Sequence, residues 1–415
     1  MSSWRIKLSL LLTYLVFAIL LNSVGVVILQ VINNYEVSKS SASVLEGFKD
    51  LPIAIVSFFV ASYLPRFGYR NAIVLGLAIV TLACIVMPLI PSFAMTKILF
   101  LSVGVSFALV KVSVYATVGL ITHDRQSHAA FLNTIEGFFM VGVLSGYWIF
   151  SLFIDPDNTK STQWLQVYYW LALLCAFNIL LLLSTPFKQS RQVERKDSAI
   201  TEFLAMLKLV KLPMVYVFVI SAFLYVLIEQ GIGTWLPTFN NEIIRLPTDM
   251  SIQVTSIFAA CLALGRLSAG VILKRIHWYL LLNICLIAMA ALVLLTLPMT
   301  NNLAPIANND WGSVPLAAWL FPCIGLFMAP IYPAINSVIL SALPKDKHAA
   351  MTGLIVLFSA LGGTCGSMLT GYVFAVFDGQ TAFYLILIPI LIIMITLRLL
   401  KGNVQRSDTG EVVTS

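Results

Sequence analysis

Four ionisable residues of this sequence stand deep inside long apolar runs, away from the run ends: Lys111, Glu136, Glu229 and Arg266. An ionisable side chain at the centre of a bilayer costs roughly 2.5–3.5 kcal/mol on insertion scales, so each should face a partner or a wet cavity. At 1.5 Å per residue, Lys111 lies about 18 Å from the nearer end of its helix and Glu136 about 12 Å from the same side. A lysine side chain covers that offset, so the two are expected to interact. The pair is either structural or a cavity charge that binds a solute. Tyr115 lies one turn from Lys111, and Asn133 one turn from Glu136, which gives each charge a polar neighbour. Glu229 has no cation in its own run. Gln230, Gly231, Gly233, Trp235 and Pro237 follow it. Glycine and proline interruptions free backbone groups at membrane binding sites, and Trp235 offers an apolar face with one N–H donor. A carboxyl in apolar surroundings favours its protonated form. Glu229 is therefore expected to take up a proton, with Glu136 as the other candidate. Arg266 lies two turns before Lys274 and Arg275 and is expected to snorkel towards the interface. Neutral groups add to the list: Asn22 and Asn33 nearly on one helical face, Gln30 near them, and Tyr332 and Asn336 at i, i+4. Such groups fit a polyhydroxylated ligand, although each alone more often makes a packing hydrogen bond.

The elements that hold these residues follow from composition. Of 415 residues, 60% are hydrophobic and 10% charged, with a mean hydropathy of +0.95. Soluble chains carry about 25% charged residues, so the solvent here is largely lipid. That excludes ordinary soluble enzymes and nucleic-acid modules; the net charge of +7 is spread over short loops rather than gathered in a patch. The six cysteines lie in apolar runs without CxxC spacing, so neither a disulfide framework nor a metal site is indicated. His123, His128, His277 and His348 sit at helix ends as solvated residues. The sequence holds no P-loop and no sign of a cofactor.

Twelve apolar runs are long enough to span a bilayer. They cover 8–33, 44–65, 71–92, 98–122, 129–154, 163–186, 212–240, 250–273, 278–299, 314–343, 349–376 and 380–397 (spans 1 to 12). The expected fold is an all-α integral membrane protein with two six-helix bundles. The bundles cover 1–186 and 212–401, joined by a linker at 187–211 and followed by a tail at 402–415. One side collects Arg5, Lys7, Arg66, Arg70, Arg125, the linker cations, Lys274, Arg275, Lys345, Lys347 and the tail cations. The other holds only Lys39, Lys49, Lys97, Lys160 and Arg245. By the positive-inside rule, both termini and the linker are cytoplasmic, in the inner membrane. The 201–211 stretch has the pattern of an amphipathic helix lying on the membrane.

The halves repeat weakly. Span 2 ends Ala61-Ser-Tyr-Leu-Pro-Arg-Phe-Gly-Tyr-Arg70, and span 8 ends Gly265-Arg-Leu-Ser-Ala-Gly-Val-Ile-Leu-Lys-Arg275. Small residues allow close helix approach, and the basic loop either anchors the helix end or gates it through Arg66, Arg70, Arg266, Lys274 and Arg275. Span 5 (Gly137, Gly142, Gly146) and span 11 (Gly353, Gly362, Gly363, Gly366, Gly371) are read as close-packing surfaces.

Together these features resemble the major facilitator superfamily. Phe223–Thr238, Gly265-Arg266 with Gly270, and Ile331–Asn336 are similar to its fucose/glucose–proton symporter branch. The Arg66–Arg70 loop resembles the superfamily's cytoplasmic loop motif without its acidic residue. The resemblance implies a monomeric secondary active transporter that moves a small polar solute, a sugar or related compound, with protons by alternating access. In that branch an acid in span 1 and a glutamate in span 4 serve coupling and sugar binding. Here span 1 has no acid from Leu8 to Tyr35, and Lys111 takes the span 4 position. Organic acids attracted by Lys111, polyols and nucleosides remain open as substrates. An exporter of a drug, siderophore or metabolite is the alternative, although span 5 lacks the Gly-Pro motif of drug antiporters. A non-transporting sensor is the third reading.

The topology is testable with single cysteines in a chain stripped of its six native ones. An impermeant thiol reagent should label position 160 in whole cells and spare 196 and 407. Strong external labelling at 196 would overturn the twelve-span count.

Overall fold

The computed structural model describes residues 3–122, 124–155, 158–185, 199–305, 310–344 and 347–408. The linker cations Lys188, Arg191, Arg195 and Lys196, together with His123 and Lys345, lie outside the described residues. The described residues contain helices and no strands. Among the described residues, eleven helices are long and apolar enough to cross a membrane. The remaining span is the 24-residue helix Val44–Phe67, whose first turns carry Glu46, Lys49 and Asp50. The chain divides into two compact units: Met1–Lys196 with Thr248–Gln253, and Asp197–Pro247 with Val254–Ser415.

Glycine sets the packing in each unit. In span 5 (Arg125–Ser151), a Cβ built on Gly142 would stand 2.7 Å from the Leu15 carbonyl of span 1. In span 11 (His348–Val376), a Cβ on Gly362 would meet the Phe223 carbonyl of span 7 at 2.4 Å, and one on Gly366 the Leu227 carbonyl at 2.2 Å. Spans 2 and 4 meet where Gly104 lies on the Lys49 carbonyl, and spans 8 and 10 where Gly265 lies on Leu326. Small residues serve this purpose in lipid, where no hydrophobic effect drives one helix onto another. Buried polar staples join further spans. Asn178 of span 6 donates to Thr13 Oγ1 and accepts from Ser9 Oγ, each at 2.7 Å, and Ser221 donates to Thr396 at 2.8 Å.

Among the described residues, spans 1, 10 and 12 are interrupted, span 12 between Gly379–Tyr384 and Leu387–Asp408. Span 1 runs as Ser3–Asn22 and Val24–Tyr35, interrupted at Ser23. Span 10 comes in short pieces, Leu316–Leu320, Phe321–Cys323, Ile324–Met328 and Ile331–Ala342, with Pro315, Pro322 and Pro330 at the joints. Proline removes a backbone donor and clashes with the preceding turn. Span 7, by contrast, is one continuous helix, Pro213–Glu242, with Pro237 inside it. The expected break after Glu229 is absent. Gly231 instead lets span 7 approach Thr370 of span 11.

Between spans 2 and 3, Gly68 has φ +90, a conformation that side chains rarely adopt, and this tightens the turn. Arg70, just after it, donates to the Leu183 carbonyl at the end of span 6 at 2.7 Å. The amphipathic stretch after the linker forms a helix, Ala199–Lys208. Its Met206 is buried and abuts Gly353. That face is packed against span 11. Outside the spans, Lys160 donates to Glu36 at 2.8 Å, and this hydrogen bond holds the Glu36 carboxyl below its usual range. Both side chains are exposed, so the pair adds little stability.

The glycine seams predict a contrast. Gly366→Ala must push a carbonyl away and should cost about 1–3 kcal/mol, as overpacking does. Gly137→Ala meets nothing within 4 Å and gains helix propensity, so its thermal midpoint in detergent should stay level or rise. Equal midpoints for the two variants would show that the 7–11 seam does not limit stability.

Candidate functional site

In the first unit, span 4 (Phe93–Ile121) carries Phe107, Lys111 and Tyr115 along one side. Tyr14 of span 1 and Phe139 of span 5 close against them, with ring centroids of Tyr14 at 6.1 Å from Phe107, 6.1 Å from Phe139 and 6.4 Å from Tyr115. Tyr115 Oη donates to Glu136 Oε1 at 2.6 Å. Lys111, Tyr115, Asn133 and Glu136 are all exposed. Among the described residues, no ion pair within 4.0 Å joins Lys111 to Glu136. The lysine ammonium lies instead 5.9 Å from the centre of the Phe107 ring. The expected Lys111–Glu136 pair is thus replaced by a Tyr115–Glu136 hydrogen bond. A hydroxyl one turn along the same helix reaches the carboxylate, while the lysine lies over an aromatic face.

In the second unit, Glu229 is paired: Arg266 Nη2 donates to Glu229 Oε1 at 3.3 Å. Arg266, expected at the interface, is turned towards span 7. Tyr225, one turn before Glu229, stacks on Tyr332 at 5.4 Å and 22°. Tyr332 Oη shares a hydrogen bond with Ser359 at 2.7 Å. Asn336 and Gln230 are half-buried close by in sequence. Trp235 is a correction. It is fully buried, its N–H donates to the Ser367 carbonyl at 2.9 Å, and its ring lies 5.6 Å from Phe374. Its faces are filled by protein, so it pins span 7 to span 11 and presents nothing to a solute.

The span 1 amides also differ from expectation. Asn22 donates to the Ala18 carbonyl of its own helix at 2.9 Å, Gln30 is buried, and the break at Ser23 separates Asn22 from Asn33. Of the basic residues read as a gate, Lys274 and Arg275 are exposed at the end of span 8, and Arg70 caps span 6. The Arg66 side chain lies outside the described residues.

A cluster that sequence reasoning missed is the most buried one. Lys49, read as an outer-loop charge, is inside the first unit with Glu46 and Asp50. Its ammonium donates to Glu46, pairs with Asp50 at 3.4 Å and donates to the Leu21 carbonyl at 3.3 Å. Leu21 lies just before the break in span 1, so the lysine serves a carbonyl at the interrupted end of a helix. Glu46 and Asp50 are therefore further intramembrane acids beside Glu136 and Glu229. The signal was present: residues 46, 49 and 50 share one helical face at the head of an apolar run.

The comparisons agree with this architecture. The family model of the Major Facilitator Superfamily matches residues 10–321, and the chain belongs to that superfamily. Its members with this fold are carriers of small molecules across membranes, not enzymes. Among solved structures, the nucleoside transporter NupG aligns with TM-score 0.74 and 14% identity, over 95% of this chain and 99% of that one. A bacterial homologue of the human lysosomal transporter Spinster, in its inward-facing and occupied conformation, aligns with TM-score 0.71 and 14% identity, over 97% and 96%. The E. coli fucose:proton symporter FucP aligns with TM-score 0.60 and 16% identity, over 96% and 99%. At these identities the likeness is one of fold. A search of the curated proteins found no match.

The site geometry is tested by two double-mutant cycles on thermal stability. Tyr115→Phe with Glu136→Gln should couple by about 1.5–3 kcal/mol, the range for hydrogen bonds to charged groups. Lys111→Met with Glu136→Gln should couple less. Equal coupling in both cycles would place Lys111 on Glu136 after all.

Proposed function

We propose that the protein is a secondary active transporter of a small polar solute, a sugar or related compound. It works by alternating access in the cytoplasmic membrane, with both termini cytoplasmic, and is driven by proton symport. The superfamily supports the transport step, and the fold shared with a fucose:proton symporter supports the solute class. The polar groups on each bundle supply donors and acceptors for hydroxyls: Tyr115, Asn133 and Glu136 on the first, Tyr332, Asn336 and Gln230 on the second.

The observation that carries proton coupling is the state of Glu136. It is exposed on its bundle, and its hydrogen-bond partner is the neutral hydroxyl of Tyr115 rather than a cation. A carboxyl held this way can gain or lose a proton while keeping its hydrogen bond, because a protonated carboxyl still accepts. Glu229, by contrast, is ion-paired with Arg266. The assignment of the proton therefore moves from Glu229 to Glu136, while Glu229 and Arg266 hold a paired position near Tyr225 and Tyr332.

The test uses proteoliposomes and labelled D-gluconate, L-fucose, D-xylose and uridine. An inward proton gradient should drive accumulation of at least one of them. Glu136→Gln should lose that accumulation and keep counterflow exchange of the same solute. Normal accumulation by the Gln variant would remove Glu136 from coupling, and gradient-independent uptake by the wild type would remove proton symport.

A further inference from the structure

We propose that Lys111 is the contact for a carboxylate carried by the transported solute, so that the substrate is a small organic acid, a sugar acid foremost, rather than a neutral sugar. This rests on the reading of the chain as a small-solute carrier and names its substrate class. Two of the lysines on the first unit's spanning helices, Lys49 and Lys111, can be compared directly. Lys49 is buried and holds three acceptors: Glu46, Asp50 and the Leu21 carbonyl. Lys111 is exposed, and among the described residues its ammonium has no acid within 4.0 Å and no protein acceptor in hydrogen-bond geometry. Its neighbour is the face of Phe107. The acid whose charge acts on Lys111, Glu136, is hydrogen-bonded to Tyr115 rather than ion-paired with the lysine.

A cation far inside a spanning helix needs a counter-charge more than it needs a hydroxyl. Water meets its three donors between transport events, but only an anion answers the charge. A single ammonium is a point charge with rotatable donors, which suits a monovalent carboxylate; a phosphate is matched better by the planar fork of an arginine. Beside the ammonium, the exposed ring of Tyr115, backed by the buried rings of Tyr14 and Phe107, offers an apolar surface to the carbon skeleton of the same solute. One charge, one aromatic wall and the amide of Asn133 define a ligand with an acid at one end and a hydroxylated body.

The test is thermal unfolding of the purified full-length protein at matched ionic strength. The probes are D-glucuronate, D-gluconate, glucose 6-phosphate and D-glucose. At about ten times its Kd, a bound acid should raise the midpoint by about 1–2 °C. At least one carboxylate should give that shift, with the phosphate ester and the neutral sugar giving less. Lys111→Met should lose the shift while retaining a cooperative transition, and Lys111→Arg should keep part of it. If Lys111→Met does not fold, the ranking of the four probes on the wild type decides. The proposal falls if glucose stabilises as well as the acids, if the phosphate ester alone binds, if Lys111→Met keeps the shift, or if neither carboxylate shifts the wild type. Stabilisation by glucose alone would leave the carrier reading standing. Failure of all four probes, together with no counterflow of any solute in liposomes, would remove that reading as well.

Discussion

Two helices in lipid satisfy their own backbones, so what holds them together is how closely those backbones can approach. In this protein the approach is set by glycines facing carbonyl oxygens. Gly142 lies against Leu15, Gly362 and Gly366 against Phe223 and Leu227, Gly104 against Lys49, and Gly265 against Leu326. The pattern repeats between the units: spans 1 and 5 meet as spans 7 and 11 do, and spans 2 and 4 as spans 8 and 10 do. The weak sequence repeat is therefore a repeat of contacts. With these seams fixed, the spans that carry the charges have little freedom of rotation, and the side chains on their other faces are aimed.

The charges then separate by how much protein surrounds them. Lys49, Glu46 and Asp50 are enclosed and answer one another and a helix end. Half-buried Glu229 and exposed Arg266 form a pair across two spans. Lys111 and Glu136 stand on an exposed face and answer different neighbours. A buried charge that lost its partner would carry the full desolvation penalty, whereas an exposed one exchanges partners with water and solute at small cost. Enclosed groups of this kind hold shape, and exposed ones suit traffic.

Much of the architecture was legible in the sequence. Span positions and the small-residue surfaces follow from local composition, which is what hydropathy and glycine content measure. Partners were not legible where they come from another helix. Arg266 and Glu229 are 37 residues apart, and no period within one helix reports the rotation of another. Helix breaks were misplaced for a related reason. Gly231 and Gly233 looked like an interruption, but glycine in a lipid-facing bundle serves close packing as readily as flexibility, whereas the true interruption at Ser23 has no proline to announce it. Lys49 was misread because a charge at the head of a span has the same local signature whether it anchors in the headgroups or turns inward. Trp235 was misread because an indole following a glutamate in one helix says nothing about which way its ring faces.

The clasp between Lys49 and the Leu21 carbonyl also bears on how the chain enters the membrane. Span 2 carries three ionisable groups within five residues, and on insertion scales each costs roughly 2.5–3.5 kcal/mol when presented singly to hydrocarbon. A helix so burdened partitions poorly by itself. Span 1, made just before it, offers an interrupted backbone with a carbonyl for the lysine, and the lysine in turn quiets both acids. The first two spans are thus suited to leave the insertion machinery as one hairpin rather than as successive single helices, with the kink of the first acting as the receptor for the second.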